Sequence, residues 1–258
     1  MSKFIDLDDK NDVVESKKIE TVPATEQIIY NLVILDKSGS MASVAGVTIS
    51  SYNEQLETTI SIEKQHKNQK HLMSLVTFSD EASIDFWNKS TSDFSKLDNK
   101  TYCPGGYTAL NDAIGISVNK LRKEIEDQKD KDIHIQVTIF TDGAENASRE
   151  YSHPQVASLI KELQDTEKWK FAYIGANQDV VAVAGKYNIA KGNTLQYSAD
   201  MLGTQQAFRS YSDSRAMYSG KIAAGQDVSQ VDFFKQDPAV DKKEDKKDNN
   251  QDKNSKSK

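Results

Sequence analysis

The feature that most limits what this chain can fold into is an apolar run that does not alternate, QIIYNLVILD, from Gln27 to Asp36. A strand with one wet face alternates apolar and polar side chains. A strand covered on both faces reads instead as nearly continuous β-branched and apolar sequence. Gln27–Asp36 is of the second kind, so helices must cover both sides of the sheet that holds it. The rest of the chain supplies them. Residues 48–65 place Ile49, Tyr52, Leu56 and Ile60 near helical spacing, and residues 108–125 put Leu110, Ile114, Val118, Leu121 and Ile125 on one face. Further helices are expected at 152–164, with Ser152 or His153 as the cap and Pro154 in the first turn, at 179–189 and at 199–219. Strands are expected at 71–80, 132–143, 168–176 and 194–198. Residues 82–88 follow a tight connection and alternate Ile84 and Phe86, which predicts an antiparallel edge hairpin.

Strands alternating with helices imply right-handed crossovers. The expected class is α/β: a doubly wound, mostly parallel sheet with one antiparallel edge strand and helices on both faces. In such sheets ligands bind beyond the carboxyl ends of the strands. Asp36 ends the first strand and Asp142 ends a later one, so both belong to the same rim.

Composition bounds the domain. Hydrophobic residues are 37% of the chain, low for a fully globular protein, and both ends account for the shortfall. Residues 237–258 close with DKKEDKKDNNQDKNSKSK, and the first two dozen residues are similarly charged. Neither can bury enough apolar surface to offset the entropy of ordering. The expectation is charged, disordered tails at 1–25 and 237–258 around a domain at 26–236. The net charge of −6 gives no electrostatic case for nucleic acid. No run is long and apolar enough for a membrane span, and the acidic N-terminus lacks the order of a signal peptide. Cys103 is the single cysteine, which rules out an intrachain disulfide and fits a reducing, cytoplasmic setting.

What could a rim built on DKSGSM do? No G-x-x-x-x-G-K-[ST] or G-x-G-x-x-G run is present to cradle a phosphate. Ser38 has Asp36 where a nucleophile elbow wants glycine, and none of His66, His71, His134 or His153 is an obvious base. A phosphoryl-accepting aspartate would want a second carboxylate two residues on, and Ser38 stands there. A metal remains. Ser38 and Ser40 alternate, so both hydroxyls face one space, and Gly39 permits the tight backbone. Hard oxygen donors suit Mg²⁺, with Mn²⁺ or Ca²⁺ as alternatives; a Cys/His cluster for zinc is missing. Thr108, after the Gly105–Gly106 turn, and Asp142 supply further oxygens on the rim.

Asp36-x-Ser38-x-Ser40, then Thr108 behind a glycine-rich loop, then Asp142-Gly143 resembles the metal-ion-dependent adhesion site of von Willebrand factor A (vWA) domains. The resemblance runs from about residue 26 to 234. DKSGSM, GGYTALNDAIG, TDGAENASREYS and YIGANQD are most similar to bacterial and phage-borne stand-alone members. It implies a Rossmann-like vWA fold, with Ser38, Ser40 and Thr108 as hydroxyl ligands and Asp36 and Asp142 binding directly or through water. The last position on the metal is then left to an acidic residue of a protein partner. Two carboxylates balance one Mg²⁺, so a third from outside stays attracted. The domain would act as a docking module and not as an enzyme.

Tyr107, Glu145, Asn177 and Asp179 form a candidate partner-contact rim. For Asn177 and Asp179, capping the following helix is the plainer role, and for Asp112, favouring the start of its own. Trp87 and Trp169 read as packing. Three other readings stand beside docking. A metal-dependent hydrolase could use the same rim. A regulatory subunit could work with an ATPase in a chelatase-like or stress-resistance system. An RNA-associated role would need a basic face, and none is present. Neither the partner nor the oligomeric state is written in the sequence.

Overall fold

The computed structural model describes residues 26–128, 131–176 and 178–234. The expected tails at 1–25 and 237–258 lie outside these residues. The rim candidate Asn177 does too.

Six strands form one sheet: β1 Gln27–Asp36, β2 Gln69–Phe78, β3 Ala82–Ser90, β4 Asp132–Thr141, β5 Trp169–Ala176 and β6 Thr194–Tyr197. Their order is β3-β2-β1-β4-β5-β6. Every pairing is parallel except that of β2 with β3, the antiparallel edge hairpin. The helices are α1 Ala45–Gln65, α2 Leu110–Ile125, α3 His153–Gln164, α4 Val180–Lys186 and α5 Met201–Ala223. This is the expected α/β class, with helices on both faces.

The central strand explains its own sequence. All ten residues of β1 are buried. Tyr30, Leu32 and Ile34 face a core shared with Leu110, Ile114 and Val118 of α2, Val156 and Ile160 of α3, and Val180 of α4. Ile29, Val33 and Leu35 face the opposite core, shared with Tyr52 and Leu56 of α1 and with Phe208, Tyr211 and Ile222 of α5. Period 2 is present in the backbone, yet both phases are apolar because both faces are covered. Each such Leu or Ile, fully buried, contributes about 1.5–3 kcal/mol to stability.

Two helix starts beside the rim differ from expectation. α1 begins at Ala45, three residues early, because a 3₁₀ turn over Gly39–Val44 feeds it directly. α2 begins at Leu110, later than Thr108, because the Thr108 backbone N–H is held by the Asn146 side chain at 2.8 Å. Ser152 caps α3, and the Gln155 side chain accepts from its backbone N–H at 2.8 Å.

After α5 the chain turns at Gly225, whose φ of +66° favours glycine, and returns past the amino ends of the strands. Lys170, at the start of β5, donates to the Ser229 and Val231 carbonyls at 2.8 and 3.0 Å. Phe233 and Phe234 then close the α5 core. No helix among the described residues is long and apolar enough to cross a membrane.

Candidate metal centre

β1 and β4 are neighbours, and the chain leaves them toward opposite faces, to α1 and to α3. Such a switch point opens a crevice at the carboxyl ends of the two strands. Asp36 is the last residue of β1, and Asp142 directly follows β4.

Asp36 is completely buried. Its Oδ1 accepts from the Ser38 backbone N–H at 2.7 Å, and its Oδ2 accepts from the Thr141 hydroxyl at 2.6 Å. The first bond folds the chain back so that Ser38 starts the 3₁₀ turn. The hydroxyls of Ser38 and Ser40 lie 3.1 Å apart, and Ser40 donates to Asp142 Oδ1 at 2.5 Å. Thr108, 4% exposed, completes the group. An ideal Cβ placed on Gly143 would stand 3.2 Å from Thr108 Oγ1, 3.8 Å from Ser40 Oγ and 3.9 Å from Asp36 Oδ2. The missing side chain of Gly143 thus leaves open a cradle bounded by three oxygens from three segments.

The loops carrying these groups are tied together. Gly105 N–H donates to the Lys37 carbonyl at 2.8 Å, and Gly39 N–H donates to the Gly106 carbonyl at 3.1 Å. The Tyr102 hydroxyl donates to the Asp36 carbonyl at 2.6 Å. Gly106 has φ +78°, and a Cβ there would meet the Asp80 carboxylate at 2.2 Å, so only glycine fits. On the far side, Asn146 N–H returns a bond to the Thr108 carbonyl at 3.1 Å.

Electrostatics favour a cation. Burial pushes the Asp36 carboxyl above its ordinary range, against the bonds from Thr141 and Ser38, and the neighbouring Asp142 raises it further. Burial raises Asp142 too, against the bond from Ser40. Every donor facing the cradle is a hard oxygen, which suits Mg²⁺ and its relatives and not zinc in a thiolate or imidazole site. No group of three or more His, Cys, Asp or Glu among the described residues is placed to hold a metal. Any cation here relies on the hydroxyls.

The rim candidates divide. Tyr107 projects, 67% exposed. Asp179 caps α4, accepting from Ala182 N–H at 3.0 Å. Glu145 is spent on its own loop: Oε1 accepts from the N–H groups of Ala147 and Ser148, and Oε2 from Asn111 N–H and the Ser148 hydroxyl. Asp112 does more than favour its helix. Its carboxylate accepts three backbone N–H groups, from Arg149, Glu150 and Tyr151, and so pins the loop after β4. Sequence reasoning missed Thr141, Tyr102 and the open space at Gly143, and it took Asn146, beside Asp142, for a specificity residue and not for the group that holds Thr108. A hydroxyl next to a strand-ending aspartate was the one available signal, and it pointed to Thr141.

The family profile described as von Willebrand factor type A domain matches residues 32–214. The vWF domain of the type V pili tip protein Mfa5 from Porphyromonas gingivalis has a TM-score of 0.55 at 9% identity, covering 75% of this chain and 97% of that one. That likeness is one of fold. Proximal thread matrix protein 1 from the mussel byssus gives 0.45 at 16% identity, over 74% of this chain and 46% of that chain. The ArnB paralog VWA2 from Sulfolobus acidocaldarius gives 0.45 at 16%, over 71% and 44%. This chain therefore spans less than half the length of these two structures. No curated protein sequence matches. The profile match covers most of the sheet and its helices, and the chain belongs to the von Willebrand factor type A domain family.

Proposed function

We propose that this domain binds a divalent cation, Mg²⁺ first, through Asp36, Ser38, Ser40, Thr108 and Asp142, and uses it to dock an acidic side chain of a protein partner. The observation that carries the reading is the convergence of five oxygen-bearing side chains from three loops around the gap at Gly143. Family membership supports it, since vWA domains are protein-interaction modules. Bound there, the cation supplies a positive centre that an incoming carboxylate can neutralise. The chain's own contribution is position: Thr141 and the Ser38 amide hold Asp36, and Asn146 holds Thr108.

A docking role is favoured over hydrolysis because the rim has no evident general base. His71 bonds Asn31 and Gln69, His134 pairs with Asp132 at the far end of β4, and His153 packs at a tilt against the Tyr187 ring. His66 ends α1 at the amino edge of the sheet.

The test is calorimetric titration of the full chain with Mg²⁺, Mn²⁺ and Ca²⁺, set beside capture of partners from the native host with and without EDTA. Expected are cation binding that Asp142→Ala removes and capture that EDTA and Asp142→Ala both abolish. Identical captured proteins in every arm would sink the docking role. Phosphatase turnover by wild type but not by Asp36→Ala would turn the reading toward a hydrolase.

A further inference from the structure

The large hydrophobic side chains left exposed are not scattered. Of the five among the described residues, Ile84 lies on the edge strand β3, and the other four, Tyr107, Val181, Met201 and Leu202, sit in loops or first helical turns at the carboxyl rim. Met201 and Leu202 are 70% and 63% exposed and line an open notch of about 630 Å³ with Val47, Gly46, Ser43, Ser50 and Gln205. None of these lining side chains is charged. Charge enters only farther along the groove between α1 and α5, at Glu54 and Arg209.

The notch and the metal centre share the 3₁₀ turn Gly39–Val44. In such a turn, positions three apart eclipse one another and rise about 6 Å. Met41 and Val44 form its buried side, while Ser40 and Ser43 form its exposed side. Ser40 reaches the metal centre and Ser43 lines the notch, so both open the same way, about one such turn apart. An extended peptide repeats its facing side chains every ~6.6 Å, at alternate residues.

We propose that the partner presents an extended segment in which an acidic residue lies two positions from an aliphatic or aromatic one. The carboxylate meets the metal centre, and the apolar side chain fills the notch between Val47 and Leu202. This rests on the docking reading above and adds to it the partner's second anchor. The complementarity is of charge: one negative group opposite the cation, and an uncharged side chain opposite an uncharged notch. Without the apolar anchor, a lone carboxylate would compete poorly with every other acid in the cell.

The probe is a phage-displayed library of random linear peptides, selected on the full chain in Mg²⁺ and eluted with EDTA. Recovered sequences are expected to hold Asp or Glu with Leu, Met, Ile or Phe two positions away. Leu202→Asp and Val47→Asp, both surface changes, are expected to weaken a selected peptide at least about tenfold while Mg²⁺ titration stays as in wild type. EDTA-eluted peptides with acid but no apolar preference, bound equally by Leu202→Asp, would overturn the notch proposal and leave metal docking standing. A selection in which the bound peptides stay on the protein through EDTA, come off only in acid and bind Asp142→Ala equally would overturn both. Sedimentation showing a dimer that Leu202→Asp dissociates and EDTA does not would assign the notch to a second copy of the chain and overturn the peptide proposal.

Discussion

Two of the buried polar regions among the described residues carry opposite charge. At the rim, Asp36 and Asp142 sit in a ring of hydroxyls and amides that bond them and each other. Beneath α5, Arg215 is completely buried, with one hydrogen bond, from Nη2 to Asn31 Oδ1 at 3.0 Å. Its Nε and Nη1 have no partner, nor does the nearby Tyr52 hydroxyl. The guanidinium instead lies over the Tyr211 ring, 5.4 Å from its centroid. The rim opens at the carboxyl ends of the strands, and on the proposed reading it receives charge from outside. The interior site is sealed, so its neighbours adapt to the guanidinium. His71, which accepts from Asn31 through Nδ1, is held neutral there. Position relative to solvent, more than polarity, decides whether an uncompensated charge becomes a binding site or a structural cost.

The largest effect should come from breaking the rim. Removing one carboxylate deletes an attraction of about 4 kcal/mol per unit of cation charge at 4 Å and intermediate dielectric, hence about 8 for a divalent ion, of which the water that takes its place returns roughly half. Asp142→Ala should thus weaken Mg²⁺ roughly a thousandfold, read by calorimetry. A fall of less than tenfold would remove Asp142 from the set of ligands.

Acid tests the interior next. Burial, then the Arg215 charge and His66, lower the His71 imidazole from 6.5 to about 3. The unfolded chain therefore takes up this proton below 6.5, while the folded chain refuses it until about pH 3. Stability from this group is complete above 6.5 and is lost as pH falls through that window, by roughly 2–3 kcal/mol at pH 4.5. Urea unfolding at pH 7 and 4.5 should show that much more acid loss in wild type than in His71→Asn. Equal slopes would mean that the imidazole is not shielded.

A smaller effect should follow from filling the cradle. Gly143→Ala puts a methyl 3.2 Å from Thr108 Oγ1. It should weaken Mg²⁺ about tenfold, ~1.4 kcal/mol, with the urea midpoint of the metal-free protein nearly unchanged. Unaltered affinity would place the ion elsewhere.

The smallest should be Arg215→Met. Replacing a buried charge that lacks a carboxylate partner with an apolar chain of similar length gains what desolvation costs and loses the bond to Asn31. The net change in urea stability should stay within about 1 kcal/mol. A loss of 3 kcal/mol or more is the mark of a broken buried pair and would show that the guanidinium is compensated in solution.

What the sequence disclosed follows from what is local. β1 was readable because both phases of its period are apolar, and the rim because Asp36 ends β1 and Asp142 directly follows β4. Neighbouring residues also revealed the alternation of Ser38 and Ser40 and the turn before Thr108. Bonds across the chain were not readable. Thr141 to Asp36, Asn146 to Thr108 and Arg215 to Asn31 join residues far apart, and no periodicity announces them. Glu145 illustrates the limit. In sequence it is an acid beside the site; in the fold both its oxygens are already engaged.

The paired backbone bonds between the Lys37–Gly39 and Gly105–Gly106 segments have a kinetic consequence. Loops already laced together have little ordering left to undergo when an ion arrives. The slow event is then the ion's own, the shedding of water that Mg²⁺ surrenders reluctantly. Association should therefore follow the exchange rate of the cation's hydration shell and speed up for Ca²⁺, with the protein setting only how long the ion stays.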